Sequence, residues 1–156
     1  MKSVMSGLML LALCSGSGIA SAADVEESVI LNSSVSSVWK LVGNFNGINQ
    51  WHPAVRESEQ DGDVRLLTLR DGGHIREVQL AHDDEHHLYR YRMDQSPLPV
   101  AGYEAEIRLE TVANNKTRMI WKSHFEAVGV PEAEAEQTIR TVYRTGMDNL
   151  ARRFNH

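Results

Sequence analysis

Trp51-His52-Pro53 is the stretch of this sequence whose residue types most readily do chemistry. An imidazole titrates near neutral pH, so His52 could serve as a general acid or base. Tyr91, Tyr103 and Tyr143 could orient a substrate oxygen through their hydroxyls. Such a set would suit general acid/base catalysis. The same residues also have a structural reading. Trp51 plugs a sheet, His52 bonds a nearby carbonyl, and Pro53 ends a helical turn, because a residue before proline avoids the helical region.

The other histidines do not suggest a metal. His86 and His87 are neighbours, and on a strand they would point to opposite faces. His74, His82 and His124 fall on different expected strands or strand ends. There is no His-Glu-x-x-His pair, no carboxylate-rich calcium loop, no glycine-rich phosphate loop and no Gly-x-Ser-x-Gly elbow. Asp61-Gly62-Asp63 and Asp83-Asp84-Glu85 read as solvated turns. Neither a metal nor a cofactor is expected.

The elements that must position these residues are legible from periodicity. Ile139, Val142, Tyr143, Gly146, Met147, Leu150 and Phe154 recur at steps of three and four within Val130 to His156. That is one apolar face of a long helix. Pro131 suits its first position, Glu132, Glu134 and Glu136 its positive end, and Arg152 and Arg153 its negative end. Upstream, Val25 to Leu31 reads as a strand. Asn32-Ser33-Ser34 offers caps for a short helix carrying Val35, Val38, Trp39 and Val42. Asn44 to Gly47 reads as a loop and Ile48 to Trp51 as one more helical turn.

Six strands are expected next: Val55–Gln60, Val64–Arg70, His74–His82, His87–Gln95, Gly102–Ala113 and Lys116–Val128. Asp61-Gly62 and Asp71-Gly72-Gly73 are hairpin signals, and Ser96-Pro97-Leu98-Pro99 cannot be ladder strand. Period two puts Tyr89, Tyr91 and Met93 on one face, as it does Tyr103, Ala105, Ile107 and Leu109, and Met119, Trp121, Ser123 and Phe125. The opposite face carries mixed charge, which fits a sheet wet on one side. The expected fold is α+β: a helix grip, with a seven-stranded curved antiparallel sheet around the long C-terminal helix and two short helices after the first strand.

A sheet closing over a helix in this way is expected to leave a hollow. Met93, Tyr103, Trp121, Tyr143 and Met147 are the expected wall residues, with Tyr91 beside them and Trp51 and His52 at the mouth. The guest would be a hydrophobic or amphiphilic small molecule, since a buried tyrosine hydroxyl wants a partner. The alternative is that this aromatic face packs directly on Ile139, Val142, Tyr143, Met147 and Leu150.

Composition narrows the partners. The chain has 156 residues and a net charge of −5, enough for one domain with a real core. Residues 1–22 read as a secretory signal: Lys2, an apolar run from Val4 to Leu13, and Ala20-Ser21-Ala22 as a cleavage site after Ala22. Residues 23–156 would be the mature domain. Export to a periplasm is expected, and no stable membrane insertion, since the apolar run is too short to span a bilayer. The lone cysteine, Cys14, would leave with the signal. The acidic balance disfavours nucleic acid as a partner.

The order and residues together resemble a known group. Val25-Glu26-Glu27-Ser28, Val38-Trp39-Lys40-Leu41-Val42-Gly43-Asn44-Phe45, Trp51-His52-Pro53-Ala54-Val55, Arg65-Leu66-Leu67-Thr68-Leu69 with Asp71-Gly72-Gly73, Ser96-Pro97-Leu98-Pro99-Val100 and Tyr143-Arg144-Thr145-Gly146-Met147-Asp148-Asn149-Leu150 are similar to the SRPBCC superfamily of START-like helix-grip proteins. The likeness is nearest to the polyketide cyclase/dehydrase and lipid-transport branch, and within it to MxaD-type periplasmic proteins. That resemblance implies the seven-stranded grip and a pocket for a lipophilic molecule. The MxaD likeness implies an accessory role beside a periplasmic dehydrogenase or cytochrome. Family members often have aspartate where this chain has Asn44, which weakens an acid/base role. No reaction follows from the resemblance, because this fold hosts carriers, cyclases and hydrolases alike.

Overall fold

The computed structural model describes residues 22–156. The expected signal lies outside the described residues, apart from Ala22. In order, the chain forms β1 (Ala22–Leu31), α1 (Val35–Val42), a 3₁₀ helix (Phe45–Gln50), β2 (Val55–Asp61), β3 (Val64–Leu69), β4 (His74–Asp83), β5 (Leu88–Gln95), β6 (Val100–Ala113), β7 (Lys116–Ala127) and α2 (Glu132–Phe154). One antiparallel sheet runs β1-β7-β6-β5-β4-β3-β2. The fold is the seven-stranded sheet gripping a long C-terminal helix that the periodicity predicts.

Local chemistry explains the boundaries. Ser34 caps α1 by accepting from the Ser37 N–H, and Asn44 caps the 3₁₀ helix by accepting from the Asn46 N–H. That cap draws Phe45 into the helical turn, whereas the sequence suggests a loop until Ile48. Pro131 stands just outside α2 as its N-cap instead of at its first position. Gly72, at φ 91°, closes the β3–β4 turn. His86 and His87 lie in the β4–β5 turn, not on a strand, and His87 adopts φ 50°. β1 and β6 each begin earlier than expected, because β7 is long enough to pair with Ala22 at one edge and Val100 at the other.

The inner face of the sheet and α2 enclose one core. Ala135, Ile139, Tyr143, Gly146, Met147 and Leu150 of α2 are buried in it. Val142 and Phe154, which belong to the same stripe, are only partly buried. The helix is also tied to the β1 edge. Arg140 and Arg144 both donate to the Glu27 carboxylate at 3.1 Å, and Asn155 bonds the Ile30 carbonyl and the Asn32 N–H. Burial pushes the Glu27 carboxyl up, but hydrogen bonds and charge from Arg144 and Arg140 win and hold it below its ordinary value.

Candidate functional site: a hydroxyl cluster under the long helix

Adjacent strands and the helix each contribute one polar aromatic to the core. β5 supplies Tyr91, β6 Tyr103, β7 Trp121 and α2 Tyr143. Trp121 Nε1 donates to Tyr91 Oη at 3.0 Å, Tyr91 Oη lies 3.4 Å from Tyr103 Oη, and Tyr103 Oη lies 2.5 Å from Tyr143 Oη. The Trp121 and Tyr143 rings stack at 4.2 Å and 13°. Burial drives the phenol pKa values of Tyr91 and Tyr103 well above the ordinary value and raises that of Tyr143, so all three hydroxyls keep their protons. Trp51 Nε1 has no hydrogen-bond partner among the described residues, and the Ser123 hydroxyl acts on the Tyr143 phenol, pulling its pKa down against the larger effect of burial.

His52 is 3% exposed and joined to backbone at both ring nitrogens. Its Nδ1 accepts from the Ala54 N–H at 3.3 Å, so the proton sits on Nε2, which donates to the Val142 carbonyl of α2 at 2.9 Å. Burial lowers its pKa, against the opposing pull of the Val142 bond. Asn149 of α2 adds a bond to the Trp51 carbonyl at 2.9 Å. The loop carrying Trp51 and His52 is thus clasped to the helix, inside the core and not at an opening. A neutral histidine with no free ring nitrogen has no lone pair to offer a substrate in this arrangement.

Deeper along the inner face, Arg65 of β3 is fully buried against Glu77 of β4. Arg65 Nε donates to Glu77 Oε2 at 2.8 Å, Nη2 donates to the same oxygen, and Nη1 donates to the Phe45 carbonyl. The guanidinium lies 3.8 Å over the Phe45 ring. Burial pulls the Arg65 pKa down, and the facing Glu77 carboxylate more than reverses it. The pair is a closed unit, with each charge answered by the other.

The profile of the family described as polyketide cyclase / dehydrase and lipid transport matches residues 22–155. The chain belongs to that family. The protein XoxI from Bacillus cereus is 30% identical, with a TM-score of 0.82 over 85% of this chain and 95% of its own. An uncharacterised protein from Bacillus thuringiensis is 29% identical, with a TM-score of 0.83 over 86% of this chain and all 100% of its own. The Zhui aromatase/cyclase from a Streptomyces species is 14% identical, with a TM-score of 0.69 over 84% and 92%, a likeness of fold. No curated protein matches the chain.

Within this polyketide cyclase/dehydrase and lipid-transport fold, the residues expected at the site do converge. Trp51, His52, Tyr91, Tyr103, Trp121, Tyr143 and Met147 are all buried, and Met93 is partly buried against the core. What separates them from the sequence reading is spacing. Where a hollow is expected between sheet and helix, Trp121 and Tyr143 are in stacking contact. Two open clefts lie elsewhere. One, about 810 Å³, opens among the charged Asp24, Glu26, Arg90, Glu104, Lys122 and His124, with Arg140 of α2 and the buried Val25, Ala105 and Ser123 also lining it. The other, about 480 Å³, lies beside α1 among Trp39, Asn44, Gln79, His82 and Asp84. None of the eight expected residues lines either one. Arg65 and Glu77 were missed, although period two places both inward.

Proposed function

We propose that this is an exported protein that binds one hydrophobic or amphiphilic small molecule at the inner face of its sheet and does not transform it. The observation that carries this reading is the run of hydroxyls from Tyr91 through Tyr103 to Tyr143, set in an otherwise apolar interior beneath a helix. A core built only for stability has little use for that many buried phenols, because each must find a partner. On this reading the guest must part the Tyr143–Trp121 stack to enter. Membership of a family that includes lipid transport supports the class of guest. His52 argues against acid/base chemistry, since both ring nitrogens are occupied.

Export rests on the first 22 residues, with the mature domain beginning at Ala23. Among the described residues no helix is long and apolar enough to cross a membrane. Native mass spectrometry of the protein from a periplasmic extract tests the reading. A stoichiometric organic adduct is expected. Only the empty mass, together with no response to any hydrophobic probe, contradicts it.

A second reading is that the protein docks on a periplasmic dehydrogenase or cytochrome, as the MxaD-type resemblance implies. The outer face favours it, where Arg90, Lys122 and His124 alternate with Asp24, Glu26 and Glu104 around an open cleft. Such a surface gives steering and orientation more than affinity. Pull-down from the same extract at low and high salt separates this reading from the first.

A further inference from the structure

The outer face of the sheet reads as its own complement. Asp24 and Glu26 point outward from β1, Lys122 and His124 from β7, Glu104 and Glu106 from β6, and Arg90 and Arg92 from β5, each alternating with buried residues. Strand register sets them in rows. Glu26, Lys122, Glu106 and Arg90 stand side by side, so charge runs − + − + across the strands. The neighbouring row is Asp24, His124, Glu104 and Arg92, with an imidazole in the lysine's place. Within the chain, Lys122 lies 3.5 Å from Glu106 and Arg90 3.3 Å from Glu104. Exposed pairs of this kind contribute little. The cleft of about 810 Å³ that opens among the same side chains leaves room for a second set.

A row of − + − + read backwards is + − + −. A two-fold axis running along the strands, between β6 and β7, reads it backwards: it lays β1 over the β5 of a second copy and β7 over its β6. Lys122 then meets Glu106 of the other copy, Arg90 meets Glu26, and Arg92 meets Asp24. An axis across the strands would instead lay each column of like charge on itself. The edges of the sheet are poorer places for a second copy. At β1, α2 covers the edge, with Arg140 donating to the Glu26 carbonyl at 3.5 Å and Asn155 to the Ile30 carbonyl at 3.1 Å. At β2, the edge carries Glu57, Glu59 and Asp61, which would repel their own copies. We propose that two copies of this chain associate face to face through β1, β7, β6 and β5, related by that two-fold axis. Packed sheets lie about 10 Å apart, a gap that a lysine and a glutamate reaching toward each other span. The contact is narrow and polar, so the dimer is weak, reversible and sensitive to salt.

Sedimentation velocity of the full-length protein over a range of concentrations tests this. A monomer–dimer equilibrium is expected at about 20 mM salt, weakened roughly tenfold at about 0.5 M, where the charges are screened. Lys122→Glu and Glu106→Lys should each abolish self-association, because each sets like charges opposite one another across the axis. Mixing the two variants should restore it, since each supplies the charge the other lacks. Inside either variant the neighbouring charges still clash, so the recovery cannot come from a repaired fold. Arg90→Glu mixed with Glu26→Arg makes the same test should a member of the first pair fail to fold. A parent still monomeric at about 1 mM protein and low salt overturns the proposal. So does association untouched by Lys122→Glu, or a mixture of the paired variants that stays monomeric.

Discussion

Gly146 of α2 lies directly against His52: a Cβ built on Gly146 would come within 2.7 Å of His52 Cδ2 and 2.9 Å of Trp51 Cζ3. The helix carries glycine there because the clasped loop leaves no room for a methyl group. Glycine inside a helix costs roughly 0.5–1 kcal/mol relative to alanine, so Gly146→Ala would stabilise an isolated helix. In this protein the rings it meets are packed on all sides, and overpacking costs about 1–3 kcal/mol. Gly146→Ala should therefore lower the unfolding free energy, by on the order of 1–2 kcal/mol from these opposing effects. Urea denaturation measures it, and a variant as stable as the parent would show that the contact is slack.

The His52 clasp also predicts a pH dependence with a definite sign. Its folded pKa lies below the ordinary 6.5, because burial disfavours the imidazolium. The unfolded chain then binds the extra proton first. Stability from this group is complete above about 6.5, and it is lost as pH falls from there through the folded pKa. His86 is exposed and shifted upward by Asp83, which gives the opposite slope. Glu27 is lowered like His52, but its window lies below 4.5. Comparing the parent with His52→Gln, which keeps a donor for the Val142 carbonyl and does not titrate, isolates the clasp. The difference should shrink as pH falls below 6.5, and a constant difference would contradict the assignment.

Arg65 and Glu77 should behave as a pair. Glu77→Gln leaves a buried guanidinium without its counter-charge and should cost about 3–5 kcal/mol. Replacing both, as Arg65→Met with Glu77→Leu, should recover most of that loss, because the pair's attraction roughly offsets its desolvation. Thermal and urea melts of the single and double variants measure the coupling. A mild Glu77→Gln phenotype would mean that water reaches Arg65.

Much of this was readable from residue order. Period two identified the inner faces of β5, β6 and β7, and steps of three and four identified α2, because these segments alternate between apolar and charged side chains, with Ile120 the exception on β7. β3 was harder. Leu66 and Leu67 are both apolar, and the outward one is half exposed while Arg65 is buried, so hydropathy points the wrong way. A usable signal was present: the Asp71-Gly72 turn sets the β3–β4 register, which pairs Arg65 with Glu77. Opposite charges on facing inward positions are a buried ion pair in the making. The Trp121–Tyr143 stack had no such signal, since it depends on how closely α2 approaches the sheet. That distance is set partly by Gly146, a residue visible in the stripe but not recognisable as a contact point.

The central claim is that a guest enters the hydroxyl cluster beneath α2. Chemical-shift mapping of the full-length protein during titration with an amphiphilic probe, 1-decanol, tests it most directly. The account predicts that Tyr91, Tyr103 and Tyr143 shift together with the backbone of α2 around Gly146, while Arg90 and Lys122 on the outer face stay still. Shifts confined to the outer cleft, with the tyrosines unmoved, would contradict it.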